Sequence, residues 1–182
     1  DLRMSRGLGD VYKRQVLMGM ALTLPISSAA LGVILNLSGI AAGAATVGCC
    51  AQMIGFATAS FRENGIGGLL AQGIGTSMLQ VPNIVRKPLI WLPTIITSAI
   101  LGPISTVVLK MTNNAIGSGM GTAGLVGPIM VYKTMITNTS PTITILMILV
   151  MLIIAPAFLT YFISEAMRRK GLIKDGDMKL EI

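Results

Sequence analysis

A run of 46 residues without a charged side chain, residues 16–61, is the feature that most constrains this chain. The hydrocarbon core of a bilayer needs about 20 apolar residues per helix, so the run is long enough to cross a membrane twice. A helix of a soluble domain carries polar residues on its exposed face and has no reason to exclude charge from every face over this length. The sequence therefore predicts an integral membrane protein.

The remaining charges and reactive side chains narrow the classes of function. The net charge is +7, but the basic residues lie at the ends of apolar runs instead of forming a stripe with aromatic residues, which argues against a nucleic-acid partner. The chain contains no histidine, and its cysteines, Cys49 and Cys50, are adjacent within an apolar run. This spacing does not suit zinc or redox chemistry, so we expect small packing residues. We expect no metal, no cofactor and no covalent catalytic residue on this chain.

Residues 1–15 differ in composition from everything that follows. Residues 10–15, DVYKRQ, are the translation of GAT-GTG-TAT-AAG-AGA-CAG, which resembles the mosaic-end tag of transposase-based sequencing libraries. We interpret residues 1–15 as a translated adapter to be excluded from the fold. The alternative is a genuine basic amphipathic leader or a basic segment that sets the membrane orientation, a topogenic n-region. With the adapter interpretation, the natural chain begins within a longer protein, and this sequence is a fragment of it.

Four apolar segments are predicted to span the membrane, at residues 16–35, 40–61, 89–109 and 143–163. Prolines are expected to bend the first, third and fourth spans, at Pro25, at Pro93 and Pro103, and at Pro156. Residues 16–163 thus form one membrane domain, and the charged residues 164–182 form a tail.

Two glycine-rich segments between the predicted spans resemble one another. Residues 73–87 and 119–133 share G-x-G-T-x-x-L-x-x-P-x-x-V-x-K, with seven of fifteen positions identical at an offset of 46 residues. An apolar span follows each copy, which favours an internal repeat. The alternative is chance, since glycine and threonine are common in membrane helices.

These segments predict backbone that turns within the membrane. Spanning helices do not need so many glycines, whereas backbone that breaks inside the bilayer does, and paired segments of this kind mark binding sites in transporters. We predict re-entrant hairpins at residues 65–81 (the first hairpin) and 112–131 (the second hairpin). The glycines expected at their turns are Gly73, Gly75, Gly119 and Gly121.

The basic residues predict the orientation of these elements. If the end carrying Arg168, Arg169 and Lys170 is cytoplasmic, two re-entrant segments place Arg86 and Lys87 on the same side. The hairpins then enter from opposite sides and form an inverted repeat. In the alternative, both glycine-rich segments are full spans. The chain then has six spans in all, and Arg86 and Lys87 lie on the outer side of the membrane.

Several stretches resemble one family of membrane proteins. ALTLPISSAALG (21–32), RENGIGGLLAQGIGTSMLQVPNI (62–84), GSGMGTAGLVGP (117–128) and KDGDMKLEI (174–182) are similar to the enzyme IIC permeases of the bacterial phosphotransferase system, in a branch that includes proposed membrane toxin regulators. Residues 16–182 resemble the C-terminal half of such a permease. The resemblance implies a homodimer in the bacterial cytoplasmic membrane that binds a sugar outside and presents it inside. The implied partners are a cytosolic IIB protein, which carries the phosphoryl group, and IIA.

The resemblance also suggests where the sugar binds. Permeases of this type place an acidic residue near a re-entrant hairpin, and Glu63 matches by motif and is the only acid in residues 16–162. The alternative is that Glu63 pairs with Arg62. Further candidates for sugar hydroxyls, which could equally bond the broken backbone of the hairpins, are Asn64, Gln72, Thr76, Gln80, Asn83 and Thr122.

The same residues are compatible with two other functions. One is a membrane sensor or regulator with the same fold and no transport. The other is an ion-coupled solute transporter, which is weakened because the spans offer no acid beyond Glu63 to carry a proton or sodium ion.

Overall fold

The computed structural model describes the backbone of residues 2–181 and the side chains of residues 10, 13 and 15–181. This part of the chain is helical, as predicted for an all-α membrane protein, and its α-helices are α1 (Leu2–Thr23), α2 (Ser28–Ile34), α3 (Gly39–Ala59), α4 (Phe61–Leu70), α5 (Val81–Arg86), α6 (Leu92–Pro103), α7 (Ala115–Ser118), α8 (Val126–Met135), α9 (Pro141–Ile148) and α10 (Ala155–Arg169). Most of the side chains of residues 1–15, the predicted adapter, lie outside the described residues, and that interpretation stays a prediction.

Three helical stretches of the described residues are long and apolar enough to cross a bilayer. They are Gly39–Ala59, Pro88–Val108, which contains α6, and Pro141–Arg169, which contains α9 and α10. These stretches confirm the predicted spans at 40–61, 89–109 and 143–163.

Helix α3 forms the centre of the bundle. Its candidate spanning window is 83% buried, against 22% for Pro141–Arg169, so α3 is enclosed by the described residues and most of the last span is left exposed by them. Small residues permit this enclosure because neighbouring backbone packs directly on α3. A Cβ atom at Gly43 would lie 2.0 Å from the carbonyl oxygen of Met111, and one at Gly48 would lie 2.3 Å from that of Gln15.

The first predicted span, residues 16–35, is wrong. Helix α1 ends at Thr23, opposite Gln52 in the middle of α3, and α2 begins at Ser28 after a turn that contains Pro25. Proline disfavours helical backbone at the residue before it, and the side chain of Ser27 caps α2 by accepting from the amide of Ala30. The chain therefore turns at the mid-height of the bundle and returns to the start of α3 instead of crossing.

Irregular turns mark the prolines of the other spans. A π-helical segment, Ile104–Val108, follows Pro103, and another, Leu149–Ile154, comes shortly before Pro156. Proline lacks the N–H that would bond the carbonyl four residues earlier. For Pro156 that carbonyl belongs to Leu152, which lies in the π-helical segment, and such a turn is one way in which a helix adjusts to the loss.

The second hairpin enters the bundle from the N-terminal end of α3. The amide of Asn113 donates to the carbonyl of Gly39, and at mid-height the backbone of Gly121 lies against Cys49. The chain then returns through α8, so that Asn113 Nδ2 also reaches the carbonyl of Gly127. Entry and exit thus lie at the same end of α3, as expected for a re-entrant segment.

The first hairpin enters from the opposite end. Its entering limb contains Gln72, which bonds Ser60 at the C-terminal end of α3, and its turn brings Ser77 to Thr23, which faces Gln52. The returning limb leads back to Gln80, whose amide donates to Gln72. This limb also leaves at the end where it entered.

The two hairpins are therefore inverted relative to each other, as predicted. The six-span alternative is wrong because Arg86 and Lys87 pair with Glu181 and Asp177 of the tail and so lie on the tail's side of the bundle.

Candidate functional site

Glu63 anchors the C-terminal tail. Its carboxylate accepts from the Arg168 guanidinium at 2.8 Å, from the backbone amide of Met178 at 2.8 Å and from that of Gly176 at 3.2 Å. The side chains of Glu63 and Arg168 are each 7% exposed, so this ion pair is nearly enclosed. The predicted alternative, a pair with Arg62, is wrong because Arg62 contacts Glu165 at 3.2 Å.

The amide side chains near Glu63 hold the same segment of the tail. Asn64 accepts from the amide of Leu180 and donates to the carbonyl of Met178, both at 2.8 Å. Gln80 donates to that Met178 carbonyl at 3.0 Å, and Asn83 donates to the carbonyl of Lys179 at 2.9 Å. The tail is thereby bound through its backbone, much as a peptide is bound in a groove.

These amides also bond one another. Asn83 donates to Gln80, Gln80 donates to Gln72, and Gln72 donates to the hydroxyl of Ser60. Five of the seven predicted substrate contacts thus form one network, here called the tail-binding cluster, which consists of Glu63, Asn64, Gln72, Gln80 and Asn83.

Ion pairs and apolar contacts complete the attachment of the tail. Lys87 pairs with Asp177, and the side chain of Met178 is fully buried beside Phe56 and Ile84. Partial burial of Asp177 acts to raise its pKa, but the hydrogen bonds from Lys87 and from the amide of Lys174 outweigh it and lower the pKa below the ordinary value. The tail therefore belongs to the packed structure.

The other two predicted contacts lie where the hairpins meet. Thr122, in the turn of the second hairpin, donates to the carbonyl of Gly73 in the first hairpin at 2.5 Å. Thr76 has extended backbone at the turn of the first hairpin, and its hydroxyl accepts from the amide of Met78. Thr122 thus joins the two breaks directly, whereas Thr76 bonds only within its own turn.

The predicted hairpin glycines differ in their surroundings. A Cβ atom at Gly119 would lie 2.1 Å from the carbonyl oxygen of Ser28, and Gly121 combines a φ of +53° with backbone contact to Cys49. In the first hairpin, Gly73 and Gly75 lie in a π-helical turn, where a Cβ at Gly73 would make ordinary contacts and one at Gly75 would meet open space. Of these four glycines, close packing thus demands glycine only at the two in the second hairpin.

A buried polar seam between α1, α3 and α6 was missed by the sequence analysis. At its centre, Gln52 Oε1 accepts from Trp91 Nε1 and Thr94 Oγ1, each at 2.8 Å, and from Thr23 at 3.4 Å. Thr23 in turn lies 2.9 Å from the hydroxyl of Ser77, beside the turn of the first hairpin. The available signal was that Gln52 is the only amide side chain in residues 40–61.

The cysteines lie near this seam and are fully buried. Cys49 packs with Met18 and Leu37, and Cys50 packs with Val47 and Leu101. Among the described residues, no group of three or more histidine, cysteine or acidic side chains could hold a metal ion.

Comparison with known proteins assigns the chain to a family. The sequence profile of the family described as "Phosphotransferase system, EIIC" matches residues 15–180, which is most of the chain. No curated protein and no solved structure matches it significantly.

Proposed function

Because the chain belongs to the EIIC family of the phosphotransferase system, a family of membrane sugar-transport components, we propose that it is the sugar-translocating part of such a permease. It binds a sugar from outside and presents it to a cytosolic IIB protein that carries the phosphoryl group and receives it from IIA. The chemistry of this chain is binding and alternating access. Two copies assemble as a homodimer in the cytoplasmic membrane of a bacterium.

The meeting of the two hairpins carries this proposal. Each hairpin enters from its own end of α3, and the bond from Thr122 to Gly73 joins them at mid-height. Transporters bind their substrates near the midplane, between repeats that open to opposite sides in turn. A site between these two turns can open to one side when one hairpin moves and to the other side when its counterpart moves.

The tail supports the orientation. Arg168, Arg169 and Lys170 lie at the end of the last span, and basic residues favour the cytoplasmic side. With the tail in the cytoplasm, the first hairpin opens inward, toward IIB, and the second opens outward.

The proposed sugar contacts are the predicted residues, with a condition that follows from the geometry. Thr122 and Thr76 lie at the turns, but the polar groups of Glu63 and Asn64 are occupied by the tail. The tail-binding cluster can bind sugar hydroxyls only after residues 175–181 leave it. We propose that this release accompanies the inward-open state.

Uptake by the full-length protein tests the proposal. Vesicles that contain the permease with its IIA and IIB proteins are given phosphoenolpyruvate and a panel of labelled hexoses, hexitols and disaccharides. We expect phosphoenolpyruvate-dependent accumulation of at least one sugar as its phosphate. Binding without accumulation would indicate the sensor or regulator instead, and neither binding nor accumulation would contradict the proposal.

Glu63→Gln probes the proposed acidic contact. Glu181→Gln is the matched control because it also removes a tail-side negative charge, but from an exposed pair with Arg86. We expect uptake to fall strongly in Glu63→Gln and to stay near the wild-type rate in Glu181→Gln. Unchanged uptake in Glu63→Gln would remove this residue from the mechanism.

A further inference from the structure

One side-chain amide at the mid-height of the bundle lacks a partner for its nitrogen. Gln52 is fully buried, and its Oε1 accepts from Trp91 and Thr94, but its Nε2 has no acceptor among the described residues. The indole N–H of Trp91 can only donate, so the oxygen of the amide must face Trp91. Rotating the side-chain amide by half a turn, which exchanges its oxygen and nitrogen, would place two N–H donors against each other and therefore does not give the amide N–H groups an acceptor.

A second unpaired group lies in the same seam. The hydroxyl of Ser98 is fully buried without a hydrogen-bond partner among the described residues, and Ser98 follows Thr94 by one turn on α6. Gln15 Oε1 also lacks a partner among these residues, but Gln15 belongs to the predicted adapter and bonds the carbonyl of Ser98, so the inference rests on Gln52. Native structures pair almost all buried polar groups, and an unpaired one calls for an explanation such as a functional role.

We propose that the amide N–H of Gln52 donates a hydrogen bond to a hydroxyl oxygen of the bound sugar. This inference rests on the proposed function and names a residue for it. The unpaired group of Gln52 is a donor, so its partner is an acceptor and not a cation. The side chains that bond Gln52, namely Thr23, Trp91 and Thr94, are neutral, which favours a neutral polyol over a phosphorylated or carboxylated ligand.

The neighbours of Gln52 connect this site to both hairpins. Thr23 bridges Gln52 to Ser77, which directly follows the turn of the first hairpin. The next residue on α3, Met53, lies 3.6 Å from the hydroxyl of Thr122 in the second hairpin. Movement of either turn would therefore change access to Gln52.

A thermodynamic cycle between protein and ligand tests the inference. The probes are the sugar that the wild-type, full-length protein transports and its monodeoxy derivatives, each of which lacks one hydroxyl. Dissociation constants are measured by calorimetry for the wild type, Gln52→Met and Gln52→Leu. Both replacements remove the amide donor, and two apolar side chains of different shape cover the case in which one of the variants does not fold. Thr58→Val is the control because Thr58 lies on α3 outside the seam and its hydroxyl bonds the carbonyl of Ile54.

We expect the wild type and Thr58→Val to bind one monodeoxy sugar about five- to tenfold more weakly than the parent sugar, the effect of one hydrogen bond. The Gln52 variant should bind the parent more weakly by a similar factor and should no longer distinguish that pair. If a folded Gln52 variant still distinguishes them, or if the wild type binds every monodeoxy sugar like the parent, the inference is wrong and the proposed function stands. If the wild type binds no sugar of the panel, both fail.

Discussion

Replacing Asn64 with leucine should loosen the tail without unfolding the spans. Asn64 makes two hydrogen bonds to the tail, one from the amide of Leu180 and one to the carbonyl of Met178. Leucine has nearly the same size and makes neither bond. Glu63 still accepts from the amide of Met178, so the variant isolates the contribution of one side chain.

The expected magnitude follows from the partners that remain. A neutral hydrogen bond contributes about 1 kcal/mol, so losing two would weaken the attachment by about 2 kcal/mol. Gln80 still donates to the carbonyl of Met178, which leaves only the amide of Leu180 without a protein partner. We therefore expect a loss of about 1.5–2 kcal/mol, or about a 10- to 30-fold increase in the population of the open tail.

Hydrogen exchange of the peptide that covers residues 175–181 measures this population, because the exchange of protected amides reports local opening. The full-length protein is examined in lipid nanodiscs. Glu181→Gln is the matched control, since its pair with Arg86 is exposed on both sides and should change exchange by about twofold or less. If exchange at Leu180 in Asn64→Leu stays within twofold of the wild type, the tail is not held as described.

Three further predictions test the arrangement of the hairpins and the tail. With Cys49 and Cys50 replaced by alanine, Arg86→Cys and Lys133→Cys should react with an impermeant reagent from opposite sides of the membrane, because these residues follow hairpins that enter and leave at opposite ends of α3. Labelling of both from one side would contradict the inverted arrangement. Gly119→Ala should lower the free energy of unfolding by about 1–3 kcal/mol or more, because its Cβ would overlap the carbonyl of Ser28, whereas Gly75→Ala should leave this free energy unchanged. Thermal unfolding of the two variants measures the difference, and equal effects would show that the two turns pack alike. The pKa of Asp177 is lowered in the folded state, so its contribution to tail attachment is complete above the ordinary pKa of 3.8 and is lost as the pH falls through the lowered pKa. The hydrogen-exchange protection factors of the tail should fall over this pH range, and Asp177→Asn should remove this pH dependence.

The elements that the sequence predicted well depend on local composition. Uncharged stretches of about 20 residues predicted the spans, and three of the four predicted spans are present. The clustered glycines located both hairpins, because backbone that turns inside a membrane needs small residues and a buried place. The failed span contains Pro25, and a helix continues past a proline only where neighbouring groups satisfy the freed carbonyl. In this fold the neighbours of Thr23 are instead Gln52 and Ser77, and the chain turns back.

The partners of the polar side chains could not be predicted in this way. Glu63 and the amides after it were identified as hydrogen-bonding groups near a hairpin, but a carboxylate or an amide pairs equally well with a sugar hydroxyl or with a peptide group. Their partners in the fold, Met178 and Leu180, lie more than 100 residues further along the chain.

The sequence by itself therefore determined the class of the protein, three of its spans, the two hairpins and their inverted orientation, because hydropathy, glycine content and charge act over short segments. Only the tertiary structure decided that the tail occupies the tail-binding cluster, and that the Nε2 of Gln52 has no acceptor among the described residues. Both depend on which distant segments pack together, and packing inside the bundle leaves each buried polar group with the few partners that its neighbours supply.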